Sequence, residues 1–263
     1  MQIIESKNDF QTRFSRWTAN DALYLYPFVE NVHAPITSVR RALPMMNLGL
    51  ISSAGAYIDG TEPFDLESKD GDVTCREIPI EVEASDLRYA AKGYDPKAVT
   101  EDRNAQIPID RLREYEANAV IGSVNNVWWS VSSHTPNAMR VATELGPHIA
   151  ERLQRYEVQA ALFIPASRLC HQTLGIIARV VEESGIPTIM LSVDPAMTDK
   201  VRPPRTAYYN GELGSVSGKP NWSEYQLRIL DETLRWIETF DQPGSRKLAV
   251  DLETQTEAAR GER

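Results

Sequence analysis

The sequence predicts an α/β fold: a parallel or mostly parallel sheet with flanking helices in Rossmann-like layers, an extended N-terminal arm and a polar C-terminal tail. Three observations predict it. The run 158–193 reads as a buried strand (VQAALFIP), a turn, an amphipathic helix (LGIIARVVEESG) and a second buried strand (IPTIMLSV). Such a βαβ unit implies parallel pairing with helices covering the sheet. Strand and helix patterns alternate through most of the chain, the signature of the α/β class. The 263 residues, 42% hydrophobic and 25% charged, suit one globular domain with tails.

Residues 1–45 read as an irregular arm, in which Trp17, Tyr24, Tyr26 and Phe28 need a surface to bury on. The run 45–55 (MMNLGLISSAG) is a buried strand ending in small residues that a ligand or backbone can approach closely. After a polar stretch, 73–82 alternates as an edge or second strand, with Cys75 read as core. A short helix is expected over 84–91 and a long loop over 92–106, a length usual for functional loops. A helix over 109–117 follows Pro108, and 118–124 reads as a strand. Residues 124–136 form a loop carrying Trp128, Trp129 and His134; one tryptophan is expected in the core, and the pair can also line a pocket. Residues 137–156 are helical, kinked or split by Pro147. Residues 166–172 read as a turn, 174–185 as a helix ended by Gly185, and 221–240 as a long helix. The single domain is thus 46–240, and 241–263 reads as a flexible tail.

The 28 basic and 37 acidic residues give a net charge of −9, which argues against nucleic acid as a partner. No apolar run nears the length of about 18 residues that spans a membrane, and the N-terminus lacks a signal core. Two cysteines exclude a disulfide scaffold and a four-cysteine zinc site, and no metal is expected. A cytoplasmic protein is the expectation. Dinucleotide, nucleoside triphosphate, zinc-protease and serine-hydrolase motifs are absent.

In parallel sheets, ligands bind beyond the carboxyl ends of strands. The expected ends are Ser52–Gly55, Gly122–Asn126, Pro165–His171 and Ser192–Asp194. Cys170 and His171 lie where a strand hands over to a helix. A helix N-terminus favours a thiolate, and a histidine beside it can exchange the proton. The alternative is a small buried hydrophobe with an ordinary neighbour. Asp95, Asn104 and Asp110 can hold a polar ligand, or shape turns and cap helices. Asp72, Arg76 and Glu77 read as a local ion-pair set.

Several spaced motifs together resemble the glycine/sarcosine/betaine reductase component B and D-proline reductase family, nearest to its selenoprotein subunits. They are Gly71-Asp72 with Arg76-Glu77-x-Pro79, then Gly93-Tyr94-Asp95, then Asp102-x-Asn104 and the run Pro108 to Glu114. Gly146-Pro147-x-Ile149-Ala150-x-x-Leu153 and the strand before Cys170 complete a match over about residues 45–195. The resemblance implies reductive cleavage of a C–N bond in a small amino acid or betaine. In that family a selenocysteine near a cysteine does the chemistry, coupled to a dithiol donor.

The family's selenocysteine-x-x-Cys-His run falls on Ser167 to His171, so Cys170 and His171 match while Ser167 replaces selenocysteine. The family's Gly-Val-His appears as Gly55-Ala56-Tyr57, and another family histidine falls on Ala91. A serine hydroxyl cannot form a redox bond to Cys170 and needs a base to attack anything. The expectation is therefore an oxidoreductase-type enzyme working through Cys170, with His171 as proton partner and an external thiol or dithiol resolving the sulfur. Ser167 joins that catalytic pair as a hydrogen-bond donor to substrate, and Arg168, Asp95, Asn104, Asp110, Tyr57 and Asn126 are the expected substrate-binding residues, Arg168 by fitting a carboxylate. The alternatives are a non-redox lyase or hydrolase on this fold, or a non-catalytic subunit binding ligand or partner. The arm favours a homo-oligomer, and a second subunit is a further expected partner.

Overall fold

The computed structural model describes residues 29–250. Its centre is an eight-stranded sheet in the order β10-β9-β8-β7-β1-β6-β3, with β5 also on β1. The strands are β1 Asn47–Ser52, β3 Cys75–Pro79, β5 Ser123–Val124, β6 Val127–Val131, β7 Ala160–Ile164, β8 Thr188–Ser192, β9 Arg205–Tyr208 and β10 Gly244–Lys247. All pairs are parallel except β3 with β6. A two-stranded antiparallel piece, β2 Ala56–Ile58 with β4 Leu87–Tyr89, lies beyond the end of β1.

Strand period divides the core between the two faces. Leu48, Leu50, Leu162, Ile189 and Ala207 pack on one side. There they meet Ile109 and Leu112 of α2 (Ile109–Ala117) and Ile229 and Leu234 of α7 (Ser223–Thr239). Ile51, Trp129, Ala161, Phe163 and Met190 pack on the other. Their partners are Ile149 and Leu153 of α4 (Gly146–Arg155) and Leu174, Ile177 and Val181 of α5 (Arg168–Glu183). Helix α5 is buried along almost its whole length, because sheet and neighbouring helices enclose it.

Several local readings are corrected. Residues 84–91 form a 3-10 turn at Ala84–Asp86 and then strand β4, because β2 offers ladder partners. The loop reading of 124–136 hides β6, while 118–124 contributes only the two residues of β5. Trp128 and Trp129 are both core, on opposite faces, as adjacent strand residues must be. The 92–106 loop contains α1 (Lys97–Glu101) and a 3-10 turn at Arg103–Ala105.

The 137–156 helix is built from α3 (Ala138–Arg140), a π turn at Val141–Leu145, and α4 with Pro147 in its first turn. Pro147 has no N–H to continue the α ladder, and the wider π turn precedes it. Residues 166–172 are the start of α5 rather than a free turn, and the structure adds α6 (Pro195–Val201) and β9. Cys75 is half-buried on the edge strand rather than core. Part of the expected tail is ordered sheet: β10 extends β9, and Leu248 and Val250 are buried beyond it. Residues 251–263, and the aromatic cluster 17–28, lie outside the described residues.

The arm residues 29–42 lack regular structure yet are anchored. Glu182 and Arg205 are both wholly buried and paired at 2.6 Å. Glu182 accepts the Thr37 N–H at 2.6 Å, and Arg205 donates to the Thr37 carbonyl at 2.6 Å. Burial raises the Glu182 carboxyl, while Arg205 opposes that shift.

Candidate functional site

The carboxyl ends of β1, β6, β7 and β8 meet above α5. Ser53 follows β1, Ser133 follows β6, Ser167 follows β7 and Val193 follows β8. Ser167 is the N-cap of α5, extended at φ −127°, and its Oγ accepts the Cys170 N–H at 3.2 Å. This cap starts the helix early and places Cys170 on its first turn. Ser167 Oγ also donates to Cys170 Sγ at 3.0 Å. The sulfur in turn has the carbonyls of Ser133 (3.4 Å) and Ser53 (3.6 Å) as acceptors. Cys170 is 1% exposed.

His171 does not pair with Cys170. Its Nδ1–H donates to the Ser167 carbonyl at 2.7 Å, and Nε2 accepts the Val193 N–H at 3.3 Å. Those two bonds fix the neutral tautomer, and burial pushes the imidazole down to about 4. The expected proton partner is therefore a brace between β7 and β8.

Arg168, at 44% side-chain exposure, stands on the same turn and lies 3.4 Å from Asp194. Asp194 caps α6 through the Met197 N–H at 3.1 Å. Among the described residues, none of the other expected contacts hydrogen-bonds Ser167, Arg168 or Cys170. Asp95 is exposed and closes the turn into α1 through the Lys97 N–H. Asn104 and Asp110 belong to a self-satisfied network. Asp110 is held by Arg103 at 2.6 Å and by Asn104 at 2.8 Å, and Asn104 also bonds Asp102. Burial works to raise the Asp110 carboxyl, but Arg103 and Asn104 hold it below the ordinary range. Tyr57 sits on β2 opposite Arg88. Asn126 is exposed at the amino end of β6, across the sheet from Cys170.

Two serines outside the expected contacts stand at the sulfur instead, and a tyrosine is tethered to the residue after one of them. Ser53 and Ser133 give their carbonyls, and Ser53 Oγ also accepts the Ala166 N–H at 3.1 Å. Tyr94 donates to the Ala54 carbonyl at 2.6 Å. Its phenol is pushed above the ordinary range by burial and by neighbouring Cys170. Tyr94 lies in the Gly93-Tyr94-Asp95 motif, which could have flagged it. Ser133 was hidden because β6 was read as loop.

Two cavities, of about 540 and 530 Å³, lie away from Cys170, one beside Arg76 on β3 and one beside Arg40 and Arg41 at the amino ends of the strands. Among the described residues, no group of three or more His, Cys, Asp and Glu could hold a metal. Nor is any described helix long and apolar enough to cross a membrane.

A family model, glycine/sarcosine/betaine reductase selenoprotein B, matches residues 70–166. The D-proline reductase subunit gamma of Acetoanaerobium sticklandii is 28% identical over 208 residues, 79% of this chain and 85% of that protein. The glycine reductase complex component B subunit gamma of Symbiobacterium thermophilum is 27% identical over 171 residues, 62% of this chain. The betaine reductase complex component B subunit beta of Peptoclostridium acidaminophilum is 27% identical over 100 residues, 38% of this chain. The aligned part spans only 38% and 22% of those last two relatives. No solved structure matches the chain.

Proposed function

The chain belongs to the glycine/sarcosine/betaine reductase component B and D-proline reductase family, and from that premise we propose that it cleaves a C–N bond of a small amino-acid-like or betaine-like substrate through Cys170. The single observation carrying this reading is the Ser167–Cys170 pair. Ser167 stands where the resemblance places selenocysteine, with its hydroxyl 3.0 Å from the remaining sulfur.

The proposed chemistry balances with an external thiol. The Cys170 sulfur attacks the carbon, a C–S bond forms, and the C–N bond breaks with the amine leaving and taking a proton. A donor thiolate then attacks that sulfur, giving a mixed disulfide while carbon takes a proton. A second donor thiol releases Cys170, so the donor pair is oxidised and the substrate reduced. Arg168, on the same turn and partly exposed, is the proposed carboxylate contact. His171 has no proton-shuttling place in this scheme, since both its nitrogens hold main chain.

A second reading, a non-catalytic subunit binding ligand or partner, draws on the 1% exposure of Cys170. A Cys170→Ala variant separates the two, assayed with a dithiol and a panel of small amino acids and betaines. Lost turnover with retained ligand binding supports the enzyme; unchanged activity supports the subunit. The relatives are named as subunits of complexes, so we also propose a second subunit as partner, in the cytoplasm. Homo-oligomerisation is proposed on the sequence of the arm, and light scattering reporting a monomer would remove it.

A further inference from the structure

Cys170 is almost wholly covered, yet a substrate carbon has to reach its sulfur if the proposed reaction runs. Something above it has to move. The sheet cannot, because Ser53 and Ser167 are fixed to it: the Ser53 N–H bonds the Ile164 carbonyl, and Ser53 Oγ accepts the Ala166 N–H. The run 90–96, between β4 and α1, has no regular structure. Its first part is tied down. The Ala90 N–H bonds the Gly55 carbonyl, Ser133 Oγ donates to the Ala90 carbonyl, and the Lys92 N–H bonds Ser133 Oγ. Past Lys92, the tether back to the strand ends is the Tyr94 hydroxyl on the Ala54 carbonyl at 2.6 Å.

That carbonyl is next in sequence to Ser53, whose carbonyl accepts the thiol. Phenol and thiol thus hang from the carbonyls of adjacent residues, Ala54 and Ser53. A second loop backs the phenol. Gly214 bonds the Ala166 carbonyl through its N–H at 2.9 Å. It adopts a positive φ of 78°, and a Cβ there would stand 2.6 Å from the Tyr94 ring and from the Asp95 carbonyl. Glycine is what lets the loop close down on Tyr94.

We infer that Tyr94 controls access to Cys170, its ring held over the sulfur by the Ala54 carbonyl on one side and by Gly214 on the other. The inference rests on the reading of Cys170 as the reacting group, and Tyr94 in it is a positioning residue. Opening breaks the one hydroxyl bond and swings the ring away while Ala90 and Lys92 stay anchored. Closing then shields the C–S adduct until a donor thiol arrives.

The test reads access rather than turnover, so it is independent of whether the reaction itself is right. The full chain is treated with iodoacetamide at neutral pH, and carbamidomethylation of Cys170 and of Cys75 is followed separately by peptide mass spectrometry. Tyr94→Ala is expected to speed modification of Cys170 at least tenfold. Tyr94→Phe, which keeps the ring but loses the hydroxyl bond, and Gly214→Ala, which pushes on the ring, are expected to give a smaller rise. The rate at half-buried Cys75 should stay unchanged and so report an intact fold. If Tyr94→Ala loosens the fold and accelerates Cys75 too, Tyr94→Phe decides alone. A Cys170 rate within twofold of wild type in Tyr94→Phe, or in a Tyr94→Ala that leaves Cys75 unchanged, overturns the inference. A Cys170→Ala variant with full turnover sinks the reductase reading instead and leaves the access result standing.

Discussion

Replacing Ser167 by Cys tests whether this position and Cys170 form one redox-competent pair. The two side-chain atoms are 3.0 Å apart now, three residues apart on one helical turn. A disulfide needs about 2.05 Å, and a small side-chain rotation covers a gap of that order. Two terms set the size of the effect. Loss of the serine cap costs about 1 kcal/mol. Closing a four-residue loop in the unfolded chain stabilises by about 2 kcal/mol on the chain-entropy model. Oxidised Ser167→Cys should therefore be about 1 kcal/mol more stable than wild type, and the reduced form about 1 kcal/mol less. Urea midpoints of the two forms measure this directly. The chain has two cysteines, so the variant has three, and thiol titration in denaturant after mild oxidation should find one, at Cys75. Three titrating thiols after oxidation, or a bond that includes Cys75, would refute the claimed apposition.

Three more perturbations follow from the same geometry. The folded His171 imidazole sits at about 4 against 6.5 for the ordinary group. Between those values the unfolded chain binds the extra proton, so stability rises with pH. The contribution is complete above 6.5 and falls by about 3 kcal/mol on acidification to 4. Urea midpoints of His171→Gln should lose most of that slope, and an unchanged slope would count against the main-chain bracing. Glu182→Ala leaves Arg205 charged and buried, and should cost roughly 3–5 kcal/mol with faster hydrogen exchange at Thr37. A loss under 1 kcal/mol would show the arm does not depend on the pair. Truncation after Pro243 removes β10 with buried Leu248 and Val250. At about 1.5–3 kcal/mol for each side chain, thermal melting should show a loss of several kcal/mol, whereas a true tail would show none.

The sheet was legible where hydrophobic runs were long. β1, β7 and β8 are buried on both faces, so no polar residue interrupts them, and β7-α5-β8 was readable as a unit. β9 escaped because it begins with Arg205, a charge made tolerable inside by the distant partners Glu182 and Thr37. β10 escaped because its residues are small or charged and its membership rests on main-chain bonds to β9. β6 escaped because it is short, five residues, and flanked by turn-forming Asn125, Asn126 and Ser132, although alternation places its two tryptophans on opposite faces. At the candidate site, Ser167, Arg168, Cys170 and His171 were legible because they are contiguous. What the turn did with them was not. The ring of His171 goes to Val193, 22 residues on, and the sulfur goes to carbonyls 37 and 117 residues away. No local spacing encodes such partners. Asp95, Asn104 and Asp110 hold turns and one another, because side chains suited to holding a polar ligand are equally suited to capping turns.

The serine at 167 has a consequence for the whole scheme. A selenocysteine beside a cysteine holds two electrons within one turn of helix, so one oxidised bond can record one turnover. With serine there, the chain keeps a single cysteine on that turn, since Cys75 lies on the edge strand β3 with its thiol pushed up to about 11 by burial. On the proposed scheme, every cycle then needs two thiols from outside, the first to split the C–S adduct and the second to free Cys170. The order of events matters, because a donor that reaches the sulfur before substrate merely caps it as a mixed disulfide. A covered sulfur answers that difficulty, provided the cover yields to substrate more readily than to thiol. Serine at 167 and the proposed cover of Cys170 by Tyr94 thus belong to one physical problem, the protection of a lone sulfur that has no neighbouring thiol to rescue it.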